Sequence, residues 1–164
     1  MKTGLFGFEM RSSVTVDVPV QRAWEVVAEV NRWPDWSDVC TAVWDAPERV
    51  GDWRPGRQFG FRLKMATRNV PFNVTVTRIE PGGSSGPLSE RLIEWTSTKY
   101  SITAVRTISV VVEPGLESGK SRVMDKKHFS SPFLPIGLVY PRWLIRRMTE
   151  SWLRDLKREA ELGR

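Results

Sequence analysis

The strongest constraint on the fold comes from residues 137–162, GLVYPRWLIRRMTESWLRDLKREAEL. Apolar residues recur there every three or four positions, which places them on one face of an α-helix. They are Leu144, Ile145, Met148, Trp152, Leu156 and Ala160. Roughly 20 helical residues span about 30 Å, the width of a small domain. The segment predicts one long amphipathic helix with Gly137 and Pro141 at its start, and this helix needs a broad apolar surface to pack against.

The preceding residues, 14–130, supply that surface as β-strands. Apolar and polar residues alternate first at 14–18, whereas 19–30 has helical spacing and 31–36 predicts a turn or a second short helix. Six more strands are predicted at 39–44, 57–65, 72–80, 91–97, 102–113 and 120–130, and a Gly- and Pro-rich loop at 81–87. Short connections favour mostly antiparallel pairing.

This order of elements indicates the α+β class. A sheet of about seven antiparallel strands must curve if it is to cover one long helix. We therefore expect a single domain, 1–164, in which a curved sheet wraps around the C-terminal helix and two short helices follow strand one. Any volume left between sheet and helix is expected to be a ligand cavity.

The composition excludes several kinds of site. The chain has one cysteine, Cys40, and one histidine, His128, so neither an intrachain disulfide nor a cysteine-based zinc site is expected. No glycine-rich dinucleotide motif follows a strand. We expect no metal and no cofactor, and we expect His128 to lie on a polar, solvent-facing strand surface. Without a signal-like segment or an apolar run of about 18 residues, a cytoplasmic protein is expected.

The positive charge is concentrated near the C-terminus. Residues 1–119 hold 14 Lys/Arg and 14 Asp/Glu, whereas 120–164 hold 11 and 5, which accounts for the net charge of +6. Basic helices can contact membranes or nucleic acids. Here the cations alternate with acidic residues, which is typical of a solvated face. We expect no nucleic-acid binding, and contact with a membrane surface is an alternative that is not favoured. The pattern leaves the oligomeric state open.

Charged residues occupy the inward face of two neighbouring strands. In 120–130, Asp125 and Lys127 share the face that apolar residues mark as inward, and in 102–113 Arg106 lies on the same face as Ile108. If a turn near 114–119 joins these strands, Arg106 lies opposite Lys127 and Ile108 opposite Asp125. Two cations and one anion would then meet in an apolar cavity. Because buried charge is costly, these groups should be paired, hydrated or in contact with a ligand.

The candidate ligand-binding residues combine these charges with inward apolar side chains. They are Trp36, Phe59, Phe61, Leu63, Val76, Trp95, Arg106, Ile108, Asp125, Lys127, Met148 and Trp152. As a cavity lining, the aromatic residues fit a ligand with rings or long alkyl chains. The alternative is that they form ordinary core, and that Arg106 and Asp125 pair without touching a ligand.

Three stretches resemble the START-related (SRPBCC) superfamily of polyketide cyclases, dehydrases and lipid-transfer proteins. They are VTVDVPVQRAWEVVAEVNRWPDWSD at 14–38, RLIEW at 91–95 and WLRDLKREAE at 152–161. The resemblance covers 14–161 and implies the helix-grip, or Bet v 1-like, fold with a hydrophobic cavity between sheet and helix. It implies activities from transport to cyclisation and transfers no catalytic residue.

Three functional hypotheses follow. The leading one is a carrier or sensor that binds a hydrophobic, lipid- or polyketide-like molecule, with an anionic or phenolic oxygen facing the excess positive charge. The second is a cyclase or dehydrase in which Asp125 acts as general base while Arg106 or Lys127 stabilises an enolate oxygen. The third is a module that meets a membrane or partner through its basic C-terminal region.

Overall fold

The computed structural model describes residues 3–82, 90–112 and 119–162. Its strands are β1 (Thr3–Gly4), β2 (Gly7–Val16), β3 (Cys40–Trp44), β4 (Gln58–Met65), β5 (Arg68–Glu80), β6 (Arg91–Lys99), β7 (Ile102–Val112) and β8 (Ser121–Ser130). Its helices are α1 (Val20–Ala28), α2 (Trp33–Trp36), α3 (Ile136–Val139) and α4 (Arg142–Leu162), with 3₁₀ turns at Val30–Arg32 and Val50–Asp52. None of the described helices is long and apolar enough to cross a bilayer.

The described strands form one antiparallel sheet in the order β1-β2-β8-β7-β6-β5-β4-β3. The predicted α+β architecture is confirmed: seven long strands, short helices after the first of them, and a long C-terminal helix. The two-residue strand β1 was not predicted, and β2 begins at Gly7 rather than at residue 14. Only Phe8 and Met10 are buried in its first half, so the alternating pattern there is too short to recognise.

The C-terminal helix is shorter than predicted. A separate short helix, α3, ends at Val139, and Tyr140 is extended (φ −71°, ψ 136°) before α4 begins at Arg142. The cause is Pro141, because the residue before a proline is disfavoured in the helical region and proline has no N–H for the helix ladder. The Pro141 carbonyl accepts hydrogen bonds from Leu144 and Ile145 at 3.0 and 3.3 Å, so the proline starts α4.

Two apolar clusters lie between the sheet and the helices. The larger contains Trp33, Trp152 and Leu156, and the smaller contains Phe8, Phe129 and Ile145 among its members. The predicted stripe of α4 faces these clusters: Ile145, Trp152, Leu156 and Ala160 are buried, and Leu144 and Met148 are half-buried. The helix therefore packs on the sheet as its periodicity predicts.

The register between β7 and β8 is also as predicted. Arg106 pairs with Lys127, and Ile108 pairs with Asp125. The turn expected near 114–119 lies almost entirely outside the described residues, as does most of the loop expected at 81–87. The two strands thus bring Arg106, Asp125 and Lys127 together on the inner face of the sheet.

Candidate functional site

A cavity of about 290 Å³ lies between the sheet and α4. Its walls are mainly apolar and aromatic, with Phe61, Trp95 and Ala104 from the sheet facing Met148 and Trp152 from the helix. This volume is close to the lower end of the range for small-molecule sites, about 300 Å³. The site combines a hydrophobic interior with a few polar groups.

Seven of the twelve candidate residues line this cavity: Phe61, Leu63, Trp95, Arg106, Lys127, Met148 and Trp152. The other five do not: Trp36, Phe59, Val76, Ile108 and Asp125. Phe59 packs against Trp53 and Trp95, and Trp36 packs against Trp33 and Trp152. These side chains contact protein instead of the cavity. For the four strand residues the reason is that strand alternation fixes the face of a residue and not its depth.

The charged residues form one compact network. Arg106 donates to Asp125 from Nε at 3.2 Å to each carboxylate oxygen and from Nη2 at 2.7 Å to Oδ2. Lys127 Nζ donates to the same Oδ2 at 2.9 Å and to Thr149 Oγ1 at 2.6 Å. The Asp125 side chain is fully buried, whereas those of Arg106 and Lys127 keep 11% and 16% of their exposure. The ion pair therefore exists, and both of its cations also line the cavity.

Three tryptophans surround the Arg106 guanidinium. Its central carbon lies 4.6 Å from the ring centroid of Trp152 and 5.5 Å from the centroids of Trp33 and Trp95. Contacts of this kind stabilise a cation against aromatic rings. The Trp152 indole nitrogen is buried and has no hydrogen-bond partner among the described residues. The rings hold Arg106 at the edge of the cavity without competing for its hydrogen bonds.

Burial raises the pKa of Asp125, but the positive charges and hydrogen bonds of Arg106 and Lys127 outweigh that effect, so the pKa lies below its ordinary value of 3.8. The carboxylate is therefore ionised at neutral pH and weakly basic. It also lies outside the cavity wall, behind its two partners. Asp125 is poorly placed to take a proton from a ligand, in contrast to the general-base role in the second hypothesis.

Burial also dominates at Lys127. It lowers the pKa from 10.5 to about 8, although the Asp125 carboxylate acts in the opposite direction. Lys127 is therefore mainly cationic at neutral pH and becomes neutral under mildly alkaline conditions. Near neutral pH the two cations of the cavity wall are compensated by one carboxylate outside it, which leaves the local excess of positive charge that the sequence predicts.

Two further chemically active side chains, Cys40 and His128, do not line the cavity. Cys40 is fully buried, and burial raises the pKa of its thiol to about 11, so it stays protonated. His128 is exposed, as its strand face predicts. The described residues contain no group of three or more His, Cys, Asp or Glu that could hold a metal ion.

Several cavity residues were not predicted. Trp33 lies in the segment predicted only as a turn or a second short helix, yet it lines the cavity while its indole N–H donates to the Val27 carbonyl at 3.1 Å. Lys99 at the end of β6 and Tyr100 in the turn to β7 reach the rim, and the buried Thr149 lines the cavity from α4. The position of the Trp33 side chain depends on how a short helix packs on the sheet. Thr149 is a polar residue on an apolar helix face. No periodic pattern could have identified either.

Comparison with known proteins assigns the family and the fold. Residues 16–125, about two-thirds of the chain, match the family model "Polyketide cyclase / dehydrase and lipid transport". No curated protein sequence matches the chain significantly.

Three solved structures resemble this chain in fold at low sequence identity. An aromatase/cyclase, ZhuI, from Streptomyces sp. R1128 is 13% identical, with a TM-score of 0.73 and coverage of 94% of each chain. A START superfamily protein from Mycobacterium smegmatis is 15% identical, with a TM-score of 0.62 over 94% of each chain. Major latex-like protein 151 from Panax ginseng is 9% identical, with a TM-score of 0.70 over 96% of this chain and 99% of its own.

At these identities the likeness shows the fold alone, which is the helix-grip fold. Because the family model covers more than half of the sequence, the chain belongs to the polyketide cyclase/dehydrase and lipid transport family.

Proposed function

We propose that this protein binds an apolar small molecule carrying one anionic or electron-rich oxygen, and that it acts as a carrier or sensor. The proposal depends on the apolar cavity of about 290 Å³ and on the two cations, Arg106 and Lys127, in its wall. Membership of a family that includes lipid-transport proteins supports this class of ligand.

The polar groups indicate which end of the ligand is recognised. Asp125 compensates part of the positive charge of Arg106 and Lys127, but its side chain is fully buried and does not line the cavity. An incoming carboxylate or phenolic oxygen would meet the cations directly. Hydrogen bonds of this kind, between a cation and an oxygen that carries charge, are the stronger class in proteins. The apolar part of the ligand would then lie against Phe61, Trp95 and Met148.

A second candidate is an enzyme in which Lys127 is the base. Its pKa of about 8 makes part of the lysine neutral under mildly alkaline conditions, and it lies beside Arg106, which could stabilise an enolate oxygen. Asp125, the base of the original hypothesis, is replaced here because of its burial and lowered pKa. Both candidate functions use the same cavity, so the pH dependence of ligand affinity and of turnover must distinguish them.

The first experiment looks for the ligand itself. Native mass spectrometry of freshly purified protein should detect a co-purified apolar molecule that denaturation releases. Binding of a model acid and its neutral analogue, decanoate and decanol, or naphthol and its methyl ether, can be followed by quenching of the cavity tryptophans. We expect the acid or phenol to bind more tightly than its neutral analogue.

The second experiment removes the Arg106 cation from the cavity wall. In Arg106→Met, affinity for decanoate should fall by roughly 1.5–3 kcal/mol, about 10- to 150-fold, while affinity for decanol should change little. Lys99→Met is the matched control, because Lys99 lines the rim but donates to the Pro71 carbonyl. Since Arg106→Met leaves Asp125 with one partner, its fold is checked by circular dichroism. Equal loss for the acid and the alcohol in a folded variant would refute recognition of the oxygen.

The pH dependence separates carrier from enzyme. A carrier should lose affinity for decanoate as the pH rises through about 8, because Lys127 loses its charge there. An enzyme with Lys127 as base should instead gain turnover over the same interval. Lys127→Met should abolish either dependence. It keeps the Arg106 and Asp125 pair intact, and thus tests the lysine without leaving the carboxylate unpaired.

A further inference from the structure

Large apolar side chains are exposed at one end of the molecule. Phe133, Leu138, Val139 and Trp143 keep between 68% and 78% of their exposure, and Leu5, Phe6 and Leu134 between 41% and 50%. We refer to these seven residues as the apolar cap. Single exposed apolar residues are common, but a group of this size usually marks a contact surface.

Backbone contacts hold the parts of the cap together. Leu5 and Phe6 form the turn between β1 and β2, and their carbonyls accept hydrogen bonds from Gly137 at 3.1 Å and Ser131 at 2.9 Å. A side chain at Gly137 would collide with the Gly4 carbonyl, so α3 packs directly on this turn. The exposed residues of the turn, the 131–135 segment and α3 therefore belong to one surface.

The apolar cap borders the cavity. Tyr140 follows Val139 directly and lines the cavity, as does Ile145 near the start of α4. Tyr100 also lines it and is 82% exposed, so the turn between β6 and β7 forms part of the rim. An apolar ligand that enters or leaves by this rim passes beside the cap.

The charged residues within the segments that carry the apolar cap are all arginines, and the nearest carboxylates in sequence, Glu9 and Glu150, flank these segments. Segments 3–8 and 131–149 contain Arg142, Arg146 and Arg147 and no carboxylate. Arg146 and Arg147 are exposed, and they follow Trp143 by three and four residues, which places all three on one face of α4. Exposed aromatic and aliphatic side chains next to arginines are typical of segments that lie in a lipid interface.

We propose that the apolar cap docks this protein on an anionic lipid bilayer. The cap residues would enter the interface while Arg146 and Arg147 meet anionic headgroups. A second copy of the chain is a poorer occupant, because its cap segments would bring the same arginines and contain no carboxylate to pair with them. Docking here would place the cavity rim at the bilayer, where an apolar ligand can move without crossing water. This extends the proposed function but does not depend on it.

Co-sedimentation with vesicles tests the proposal. Wild-type protein should bind phosphatidylcholine vesicles that contain phosphatidylserine, should bind pure phosphatidylcholine at least tenfold more weakly, and should be released by salt. Leu138→Ser with Val139→Ser, and separately Arg146→Gln with Arg147→Gln, should each weaken binding to the anionic vesicles about tenfold or more.

Two controls match these variants. Leu162→Ser removes an equally exposed leucine (75%) at the far end of α4, and Arg62→Gln with Lys64→Gln removes the same charge from exposed positions on β4. Neither should alter vesicle binding. The proposal is overturned if wild type does not bind anionic vesicles or if the controls weaken binding as much as the cap variants. It is also overturned if the cap variants merely convert a dimer to a monomer. Loss of vesicle binding with normal decanoate affinity would leave the cavity proposal intact.

Discussion

The two halves of α4 share one apolar stripe but differ in charge and in surroundings. In residues 150–162, Trp152, Leu156 and Ala160 are buried in the main core. In residues 142–149, Met148 and Thr149 line the cavity and Trp143 is exposed. The second half of the helix is thus mainly core, although Trp152 also lines the cavity, whereas the first half leaves surfaces available for ligands or partners.

The charged residues of α4 also differ between its two halves. In the second half, Lys157 pairs with Glu161 at 2.8 Å and Arg158 with Asp155 at 3.3 Å, and Glu159 lies 3.7 Å from Arg32. These contacts agree with the solvated face predicted for the basic region, although exposed pairs contribute little stability. The first half contains arginines without carboxylates. One basic helix can therefore carry a structural face and a candidate docking face.

The largest effect is expected from the second half. Trp152→Ala should lower the free energy of unfolding by about 3–5 kcal/mol, because it opens a cavity in the core and removes the ring closest to Arg106. Urea denaturation measures the change, with Trp143→Ala as the matched control on the first half. An unfolding midpoint equal to that of the wild type would contradict the burial of Trp152 in the core.

Asp125, on β8, is linked to the point where the two halves of α4 meet, because Lys127 donates hydrogen bonds to both Asp125 and Thr149. Asp125→Asn should cost about 3 kcal/mol, because it leaves Arg106 and Lys127 buried without a carboxylate. The pKa of Asp125 is lowered on folding, so its contribution is fully present above its ordinary value of 3.8 and is lost as the pH falls towards the folded pKa.

Urea midpoints measured from neutral pH down to about pH 3 should therefore show a steeper acid loss in the wild type than in Asp125→Asn. A variant with the wild-type acid profile would show that other carboxylates dominate the acid unfolding.

A smaller effect is expected where α3 meets the first hairpin. Gly137→Ala should destabilise the fold by about 1–3 kcal/mol, because the added methyl group would push α3 away from the Gly4 carbonyl. Gly51→Ala is the control, since an added Cβ there meets nothing within 4 Å. Equal stability of both variants would mean that α3 is not packed closely on the hairpin.

The smallest effect is expected for the apolar cap. Trp143→Ser and Leu138→Ser should change the free energy of unfolding by no more than about 0.5 kcal/mol, because both side chains are already largely exposed. Thermal and urea unfolding measure this directly. A loss comparable to that of Trp152→Ala would show that these residues are part of the core, and the docking proposal would lose its basis.

Local patterns were sufficient for the parts of the fold that repeat along the chain. The stripe on α4 and the alternation in β7 and β8 predicted the inward faces, and antiparallel pairing then predicted Arg106 opposite Lys127. These predictions succeeded because helical and strand periods are properties of the backbone. Pro141 was recognised as part of the helix start, but its effect on Tyr140 and the separate helix α3 was missed.

Tertiary packing decided the depth and environment of each inward residue. Ile108 and Val76 have the predicted orientation but contact core, whereas Trp33 lines the cavity from a short helix that strand parity does not describe. The same holds for charge: the sequence placed Asp125 inward, but its position behind Arg106 and Lys127 lowers its basicity and removes it from the ligand. The burial and the pKa of a side chain depend on all the elements packed around it, whereas a periodic pattern predicts only which face of its own helix or strand the side chain occupies.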